Sequence, residues 1–471
     1  MSRDEVKLFY READEAASVI RERIEGGEKR VWITSHWDAD GIASAAIMAK
    51  CLHAMNVPFT FRFTKPVGPG DVEELAKSEY EIYVFLDQGG SQLEAIRRHI
   101  LGKGAEAIVV DHHPGPPIEH QNLVYFNPHL YGLNGGRDIS ASGATYSIVE
   151  RINVKFRSLI SLAIVGAIGD RQEFPSGFMG VNSELLKRAT DLGLIYRGEG
   201  IRLVGRTIWP ACECIRLSTR PYVTGLSGNV VECMSILESL DIAPKKLLCE
   251  IGEEKEAALA AAISKKAGRV SEKDEFKHAL WGATYSRTES EIAGPIDIRD
   301  YATVLDACGS MKKPEAGFAM AIGSAQQDAT NVLKEYQEEM LGVIRWAIGK
   351  LPHFKTAENF RYLLAGQEIR PALIGEAISL LIESGLVPVD RPLIAVAEKD
   401  GKNVKVSARS TIALSDRGYD LGRALASSAQ EVGGHGSGHD VAAAATIPKD
   451  RIEEFLGKLD VNLKSARGAT A

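Results

Sequence analysis

Residues 107–115 read AIVVDHHPG, a short apolar run followed at once by an aspartate and two histidines. An apolar run of this length, bounded by Pro and Gly, predicts a strand that is buried on both faces. In open parallel α/β sheets, ligands bind beyond the carboxyl ends of the strands. Asp111, His112 and His113 are therefore predicted to lie at the ligand-binding edge of a parallel sheet.

Three more stretches place acidic or histidine side chains at the end of an apolar element. Residues 31–41 read VWITSHWDADG and residues 82–90 read IYVFLDQGG, each a strand pattern with carboxylates directly after it. Residues 166–170 read GAIGD, at the end of an apolar helical pattern. Because a lone buried carboxylate is costly unless it is paired or metal-bound, the four stretches together predict a metal site.

The donor types predict which metal this is. Aspartate oxygens with a few histidine nitrogens suit Mn²⁺ or Mg²⁺, and the thiolates of structural zinc sites are missing. The donors are too many for one ion, so a pair of ions that share a carboxylate is expected. The alternatives are that Asp38 or Asp87 only caps a helix, and that the His-His pair is simply solvated.

The chain around these stretches alternates strands and helices up to about residue 185, which predicts a doubly wound parallel sheet. An amphipathic helix over 1–27 precedes it. We predict three segments: a metal-bearing catalytic domain (1–185), a mainly helical insertion with a connecting helix (186–350), and a smaller α/β domain across a cleft (351–471). The predicted strands are Val31–Thr34, Phe59–Phe63, Ile82–Leu86, Ala107–Val110 and Leu123–Phe126, and the last domain carries a hairpin of Leu393–Glu398 and Val404–Ala408.

Composition limits the partners of the protein. The 471 residues include 56 Lys and Arg against 63 Asp and Glu, a net charge of −7. That balance excludes polyanion binding through bulk positive charge, so a nucleic acid would be bound by a local patch, helix ends or metal. Residues 401–430 carry a local excess of basic residues, and the glycines of 433–444 allow close approach to a phosphate, unless this stretch is only a flexible loop.

The sequence also predicts a location. The six cysteines form no CxxC pair and are expected to be reduced thiols. The start of the chain has no apolar signal core, and the longest apolar run, Leu159–Gly169, is far shorter than the ~20 residues of a membrane span. We therefore expect a cytoplasmic protein with no membrane partner.

The stretches SHWDADG, FLDQGG, VVDHHPG and VGAIGD, in this order, resemble the four motifs of the DHH phosphoesterase superfamily. That superfamily includes RecJ-type exonucleases, nano-RNases, cyclic-dinucleotide phosphodiesterases and family II pyrophosphatases. Residues 437–444 resemble the GGHxxAAG motif of the DHH-associated substrate domain, with Ser437 in place of the first Gly and Ala444 in place of the last. The strand around Val404–Ser410 resembles the family strand whose arginine binds a substrate phosphate, which here is Arg409.

The resemblance implies a role for each motif residue. Two divalent ions, preferably Mn²⁺ and otherwise Mg²⁺, would be held by His36 and Asp38 at one site and by Asp40, His112 and Asp170 at the other. Asp87 would bridge the ions, Asp111 would fix a histidine tautomer, and His113 would face the scissile phosphate. The implied substrate contacts are Arg409, Ser437, Gly438 and His439.

Chain length makes the resemblance strongest to the archaeal RecJ-like, GINS-associated single-strand exonucleases. It implies hydrolysis of single-stranded DNA or RNA to mononucleotides in replication or repair, with a GINS replisome protein as partner. Two alternatives stay open, since they share the same motifs. One is an enzyme on small substrates, a nano-RNase or a cyclic-dinucleotide phosphodiesterase, and the other is a largely structural replisome subunit.

Overall fold

A computed structural model describes residues 3–25, 29–173, 177–288 and 292–468. A five-stranded, fully parallel sheet forms its first part, in the order β2-β1-β3-β4-β5. Every side chain of β3 is buried, as expected for a parallel sheet covered on both faces. The strands are β1 (Val31–His36), β2 (Phe59–Thr64), β3 (Ile82–Leu86), β4 (Glu106–Val110) and β5 (Leu123–Phe126), which confirms the predicted set.

Helices follow or connect these strands, as the alternating pattern predicts. α2 begins directly after β1, and the apolar α6 ends one residue before Asp170. The two ends of the predicted helix 1–27, residues 1–2 and 26–27, lie outside the described residues. The helices are α1 (Arg3–Ile24), α2 (Ala39–Ala54), α3 (Pro69–Leu75), α4 (Leu93–His99), α5 (Ala141–Ile152) and α6 (Ile160–Gly169).

The middle of the chain is mainly helical, as predicted, but it also contains a two-stranded sheet of β6 and β7. These strands lie far apart in sequence, so no local sequence pattern predicts their pairing. The elements are α7 (Gly180–Asp191), β6 (Ile195–Ile201), α8 (Ala211–Arg216), α9 (Val230–Glu238), α10 (Glu253–Ala267), α11 (Asp274–Leu280), β7 (Trp281–Arg287), α12 (Ile298–Ser310), α13 (Pro314–Ile322) and α14 (Gln326–Gly349).

The last part of the chain forms a second sheet in the order β12-β13-β11-β10-β9-β8. The predicted hairpin is confirmed, since β10 pairs antiparallel with β11. Phe360, Val406, Leu425 and Phe455 belong to its buried core. The elements are β8 (Lys355–Thr356), β9 (Arg361–Gly366), α15 (Ile374–Glu383), β10 (Leu393–Glu398), β11 (Asn403–Arg409), α16 (Ile412–Ser415), α17 (Leu421–Glu431), β12 (His435–Gly438), β13 (Ala442–Pro448) and α18 (Ile452–Gly468).

The glycine-rich stretch that begins at Gly433 forms the edge strand β12 where a loop was expected. β12 pairs antiparallel with β13. A Cβ on Gly434 would lie 2.4 Å from the carbonyl oxygen of Thr446, and a Cβ on Gly436 would lie 3.2 Å from that of Leu425 in α17. Gly434 and Gly436 are therefore required by close packing of backbone on backbone in this domain.

The chain divides into two compact units. The first comprises Met1–Pro210, Leu247–Gly252 and Gly282–Tyr336, and the second comprises Ala211–Lys246, Glu253–Trp281 and Gln337–Ala471. Segment 186–350 thus contributes to both units, while the boundaries 1–185, 186–350 and 351–471 stay a prediction. The predicted fold class, α/β with a parallel-sheet core and a separate C-terminal sheet domain, is confirmed. Among the described residues, no helix is both long and apolar enough to cross a membrane.

Candidate metal centre

The strand order of the first sheet places its ligand-binding edge at β1 and β3. The order reverses between these two neighbouring strands, which is the topological switch point where open α/β sheets bind ligands. His36 is the last residue of β1, Asp87 follows β3, and Asp111 follows β4. The side chains predicted from separate motifs therefore meet at one edge of one sheet.

All six predicted metal ligands lie together there. His36 Nδ1 lies 2.6 Å from Asp38 Oδ2 and 3.4 Å from Asp87 Oδ2. His112 Nε2 lies 3.1 Å from Asp87 Oδ1 and 3.4 Å from Asp170 Oδ2. Three groups each bring their donor atoms within 4.8 Å of one another: His36, Asp38 and Asp87; Asp40, His112 and Asp170; and Asp87, His112 and His113.

The two aspartates of the first motif are held by helix starts. Asp38 is the N-cap of α2, and its Oδ1 accepts a hydrogen bond from the Gly41 amide at 3.0 Å. The capping interpretation is therefore correct for Asp38, but its Oδ2 remains directed at His36. Asp40 accepts hydrogen bonds from the backbone amides of Ala141 and Ser142, at 2.6 and 2.9 Å, in the first turn of α5, where the helix dipole favours a negative charge.

His112 is oriented by a carbonyl that the sequence analysis missed. Its Nδ1 lies 2.7 Å from the Gly135 oxygen, which can only accept, so Nδ1 carries the proton and Nε2 faces the carboxylates. Gln172 donates to the same oxygen at 2.8 Å and lies 3.5 Å from Asp170 Oδ2. No sequence signal could have identified Gly135, because its role depends on a tertiary contact.

Asp87 belongs to two of the three groups, as His112 does, and its backbone and side chain are both tightly constrained. Its side chain is 1% exposed, and its φ of 57° lies in the left-handed region. Its two oxygens face the imidazoles of His36 and His112 and accept no other hydrogen bond from the residues the structure describes. A buried carboxylate so poorly supplied with donors is typical of a metal ligand.

The electrostatics of the cluster also fit divalent cations. Burial, together with the nearby Asp87 charge, raises the pKa of Asp40 to about 6. Burial and the Asp40 carboxylate raise the pKa of Asp170 well above its usual range. Burial opposes protonation of His36, but Asp38 and Asp87 outweigh it and raise its pKa to about 11. Crowded carboxylates thus favour added positive charge, which bound Mn²⁺ or Mg²⁺ would supply.

Asp111 and His113 form a separate pair beside this cluster. Asp111 Oδ1 accepts from the His113 Nδ1 at 2.9 Å, and its Oδ2 accepts from the Gly90 amide at 2.8 Å. Asp111 is buried, while the His113 side chain is 46% exposed. The pair thus holds one ring nitrogen and leaves His113 Nε2 for another partner.

The predicted substrate contacts lie in the second unit, at one end of its sheet. Arg409 and Gly438 pair with the adjacent residues Ala442 and Ala443 at the start of β13. Arg409 is half-buried, and its Nε donates to Ser379 Oγ in α15 at 2.9 Å. Ser437, Gly438 and His439 are exposed. The structure therefore gathers these four residues at one sheet end within this unit.

Two family models match the chain. The DHH family N-terminal domain matches residues 30–167, and the DHHA1 domain matches residues 362–465. An uncharacterized protein of Methanocaldococcus jannaschii is 28% identical over 96% of this chain and 97% of its own length.

Two solved structures share the fold. Thermus thermophilus RecJ in complex with Mn²⁺ is 17% identical, with a TM-score of 0.57 over 96% of this chain and 55% of RecJ. CDC45 of Entamoeba histolytica is 12% identical, with a TM-score of 0.65 over 97% of this chain and 99% of CDC45. At these identities the likeness extends to the fold alone.

Proposed function

We propose that this chain, which belongs to the DHH superfamily and has its RecJ-like fold, is a metal-dependent exonuclease that releases mononucleotides from single-stranded DNA or RNA. The coarser assignment, a RecJ-like phosphoesterase, follows from the family. The single observation that supports catalysis is the complete ligand set around Asp87. A protein that used this fold without catalysis would not need all six metal-ligand side chains.

The residues present fit two divalent ions, preferably Mn²⁺. His36 and Asp38 would hold one ion, Asp40, His112 and Asp170 the other, and Asp87 would be shared. Bound ions of this kind polarise a phosphoryl oxygen and lower the pKa of bound water, so that hydroxide is available near neutral pH. Asp40 and His112 are pre-organised for this task by α5 and by the Gly135 carbonyl.

His113 is the residue we assign to the reacting phosphate. Asp111 accepts from its Nδ1, so Nε2 donates to a phosphoryl oxygen or to the leaving group when the ring carries both protons. Burial opposes protonation of His113, but the Asp111 hydrogen bond and the charges of Asp87 and Asp111 together outweigh burial and raise the pKa of His113. The raised pKa favours the doubly protonated ring, the form in which Nε2 donates.

The second unit would bind the phosphate chain of the substrate. Arg409 offers a planar guanidinium that suits phosphate oxygens, and it already lies against α15, where Gly375 leaves room for it. The exposed Ser437, Gly438 and His439 would add contacts at the same sheet end. Single-stranded nucleic acid is therefore the proposed substrate, and a replisome protein of the GINS class is the proposed partner.

A largely structural replisome role is the second candidate, because the fold likeness to CDC45 spans nearly the whole length of both chains. A nano-RNase or cyclic-dinucleotide phosphodiesterase would use the same metal centre. The dependence of the cleavage rate on substrate length separates the two enzymatic functions, and the absence of cleavage identifies the structural role.

The test incubates the full chain and Mn²⁺ with 5′- or 3′-labelled DNA and RNA, from dinucleotides to strands of several tens of nucleotides. We expect mononucleotides to be released from one labelled end, at a rate that rises with the length of the oligonucleotide. Cleavage confined to dinucleotides or cyclic dinucleotides would replace the exonuclease with the small-substrate enzyme, and no cleavage at all would favour the structural role.

A further inference from the structure

Helix α12, from a segment that carries none of the four motifs, contacts the first motif directly. Asp306 Oδ1 accepts a hydrogen bond from the Ala39 backbone amide at 2.8 Å, across 267 positions of sequence. One turn further, Gly309 packs against the same loop, where a Cβ would lie 1.9 Å from the Trp37 carbonyl oxygen. All four residues belong to the first compact unit.

The Ala39 amide needs a partner for a simple reason. Ala39 is the first residue of α2, and the first amides of a helix have no acceptor within the helix. The side chain of the N-cap Asp38 accepts from the Gly41 amide and faces His36, and it does not reach the Ala39 amide. Asp306 therefore supplies the acceptor that the cap leaves missing.

The position of this amide gives the contact its significance. Ala39 stands between Asp38 and Asp40, which belong to the two different donor groups of the cluster. A change in the backbone at Ala39 would therefore displace both carboxylates. Gly309 contacts the preceding peptide, so α12 fixes the loop at two successive points.

We propose that Asp306 is a positioning residue for the metal centre, and that α12 is a built-in support of that centre. This inference rests on the proposed function, because it assumes that the cluster binds metal. Partners that orient metal ligands typically contribute 10–100-fold to metal affinity, about the effect expected here. Within segment 186–350, α12 is thus the helix that supports the first motif.

The test compares Asp306→Ala, Asp306→Asn and Gly309→Ala with the wild-type full chain. Free Mn²⁺ is measured by electron paramagnetic resonance during titration, and circular dichroism reports folding. Thr303→Ala is the matched control, because the Thr303 hydroxyl donates to the Arg299 carbonyl within α12 and not to the first motif.

We expect Asp306→Ala to weaken Mn²⁺ binding by about tenfold or more. Asp306→Asn should keep wild-type affinity, because its amide oxygen still accepts from Ala39. Gly309→Ala should weaken binding although it leaves the carboxylate in place, which also covers the case that Asp306→Ala fails to fold. Thr303→Ala should bind as the wild type does.

Wild-type affinity in a folded Asp306→Ala or in Gly309→Ala would overturn the inference, as would an Asp306→Asn variant as weak as Asp306→Ala. A wild-type chain that binds no Mn²⁺ would overturn the proposed function as well. A wild-type chain that binds Mn²⁺ but hydrolyses no phosphodiester would overturn the proposed activity alone. The role of α12 is tested by Mn²⁺ affinity and does not depend on hydrolysis.

Discussion

Asp87→Asn should abolish the stabilisation of the first unit by Mn²⁺. The substitution keeps the shape of the side chain, and Asn tolerates the left-handed φ of 57°. Asp87 shares one donor group with His36 and Asp38 and another with His112, and His112 also belongs to the group of Asp40 and Asp170. The Asp87 carboxylate thus contacts a histidine of each proposed ion site. Asp87→Asn should therefore affect both ions, and His36→Ala should leave the group of Asp40, His112 and Asp170 intact.

The size of the effect follows from binding linkage. An ion that binds only the native state stabilises it by about 2.7 kcal/mol at a free concentration about a hundredfold above Kd. Two ions would contribute about 5 kcal/mol, which corresponds to about 10 °C at the ~2 °C per kcal/mol of a large domain. We expect His36→Ala to retain about half of this shift and Asp87→Asn almost none.

Differential scanning calorimetry with Mn²⁺ and with chelator measures this shift. Asp191→Asn is the control, because Asp191 makes an exposed ion pair with Lys187 on α7 and should leave the Mn²⁺ shift unchanged. A wild-type shift in Asp87→Asn would refute the shared role of Asp87. A His36→Ala variant that loses as much as Asp87→Asn would refute the division of the ligands into two groups.

Three further predictions concern the reaction, the substrate and pH. His113→Ala should lower kcat by about 10²–10³-fold, as loss of a donor to the developing charge does, while the Mn²⁺ shift in calorimetry persists. Arg409→Ala should raise KM for oligonucleotides by about tenfold or more in steady-state kinetics without changing the Mn²⁺ shift, and Arg409→Lys should restore it only partly. Burial and the neighbouring Asp297 raise the pKa of Asp300 to about 7. The neutral form is thus favoured in the folded state, so stability contributed by Asp300 is complete in acid and is lost as pH rises through about 7. Denaturant unfolding at a series of pH values should show a smaller loss of stability with rising pH in Asp300→Asn than in the wild type, because Asp40 and Asp170, whose pKa values are also raised, still contribute.

The sequence could predict the parts of the fold that local patterns encode. Strands such as Ile82–Leu86 are continuous apolar runs, and each metal-ligand candidate stands at the end of such an element or within a few residues after it. The parallel sheet then brings the candidates to one edge without any further information. The order of the motifs revealed the resemblance to a family, and this resemblance assigned a role to each candidate residue.

The remaining features depend on contacts between distant segments. The pairing of β6 with β7 and the support of Ala39 by Asp306 join residues that no periodicity relates. The role of the Gly135 carbonyl appears only when His112 is placed against it. The glycine-rich stretch of β12 illustrates the same limit. Its composition predicts a loop, but close packing against neighbouring backbone makes it a strand.

Hydrolysis of an end-labelled single strand in Mn²⁺, measured side by side for the wild type and Asp87→Asn, shows whether the acidic cluster around Asp87 is needed for cleavage. Both proteins are first shown to be folded, and the wild type is shown to bind Mn²⁺. We expect labelled mononucleotide to accumulate with the wild type and to stay at background with Asp87→Asn. A metal-loaded wild type that releases no more product than Asp87→Asn would contradict this expectation.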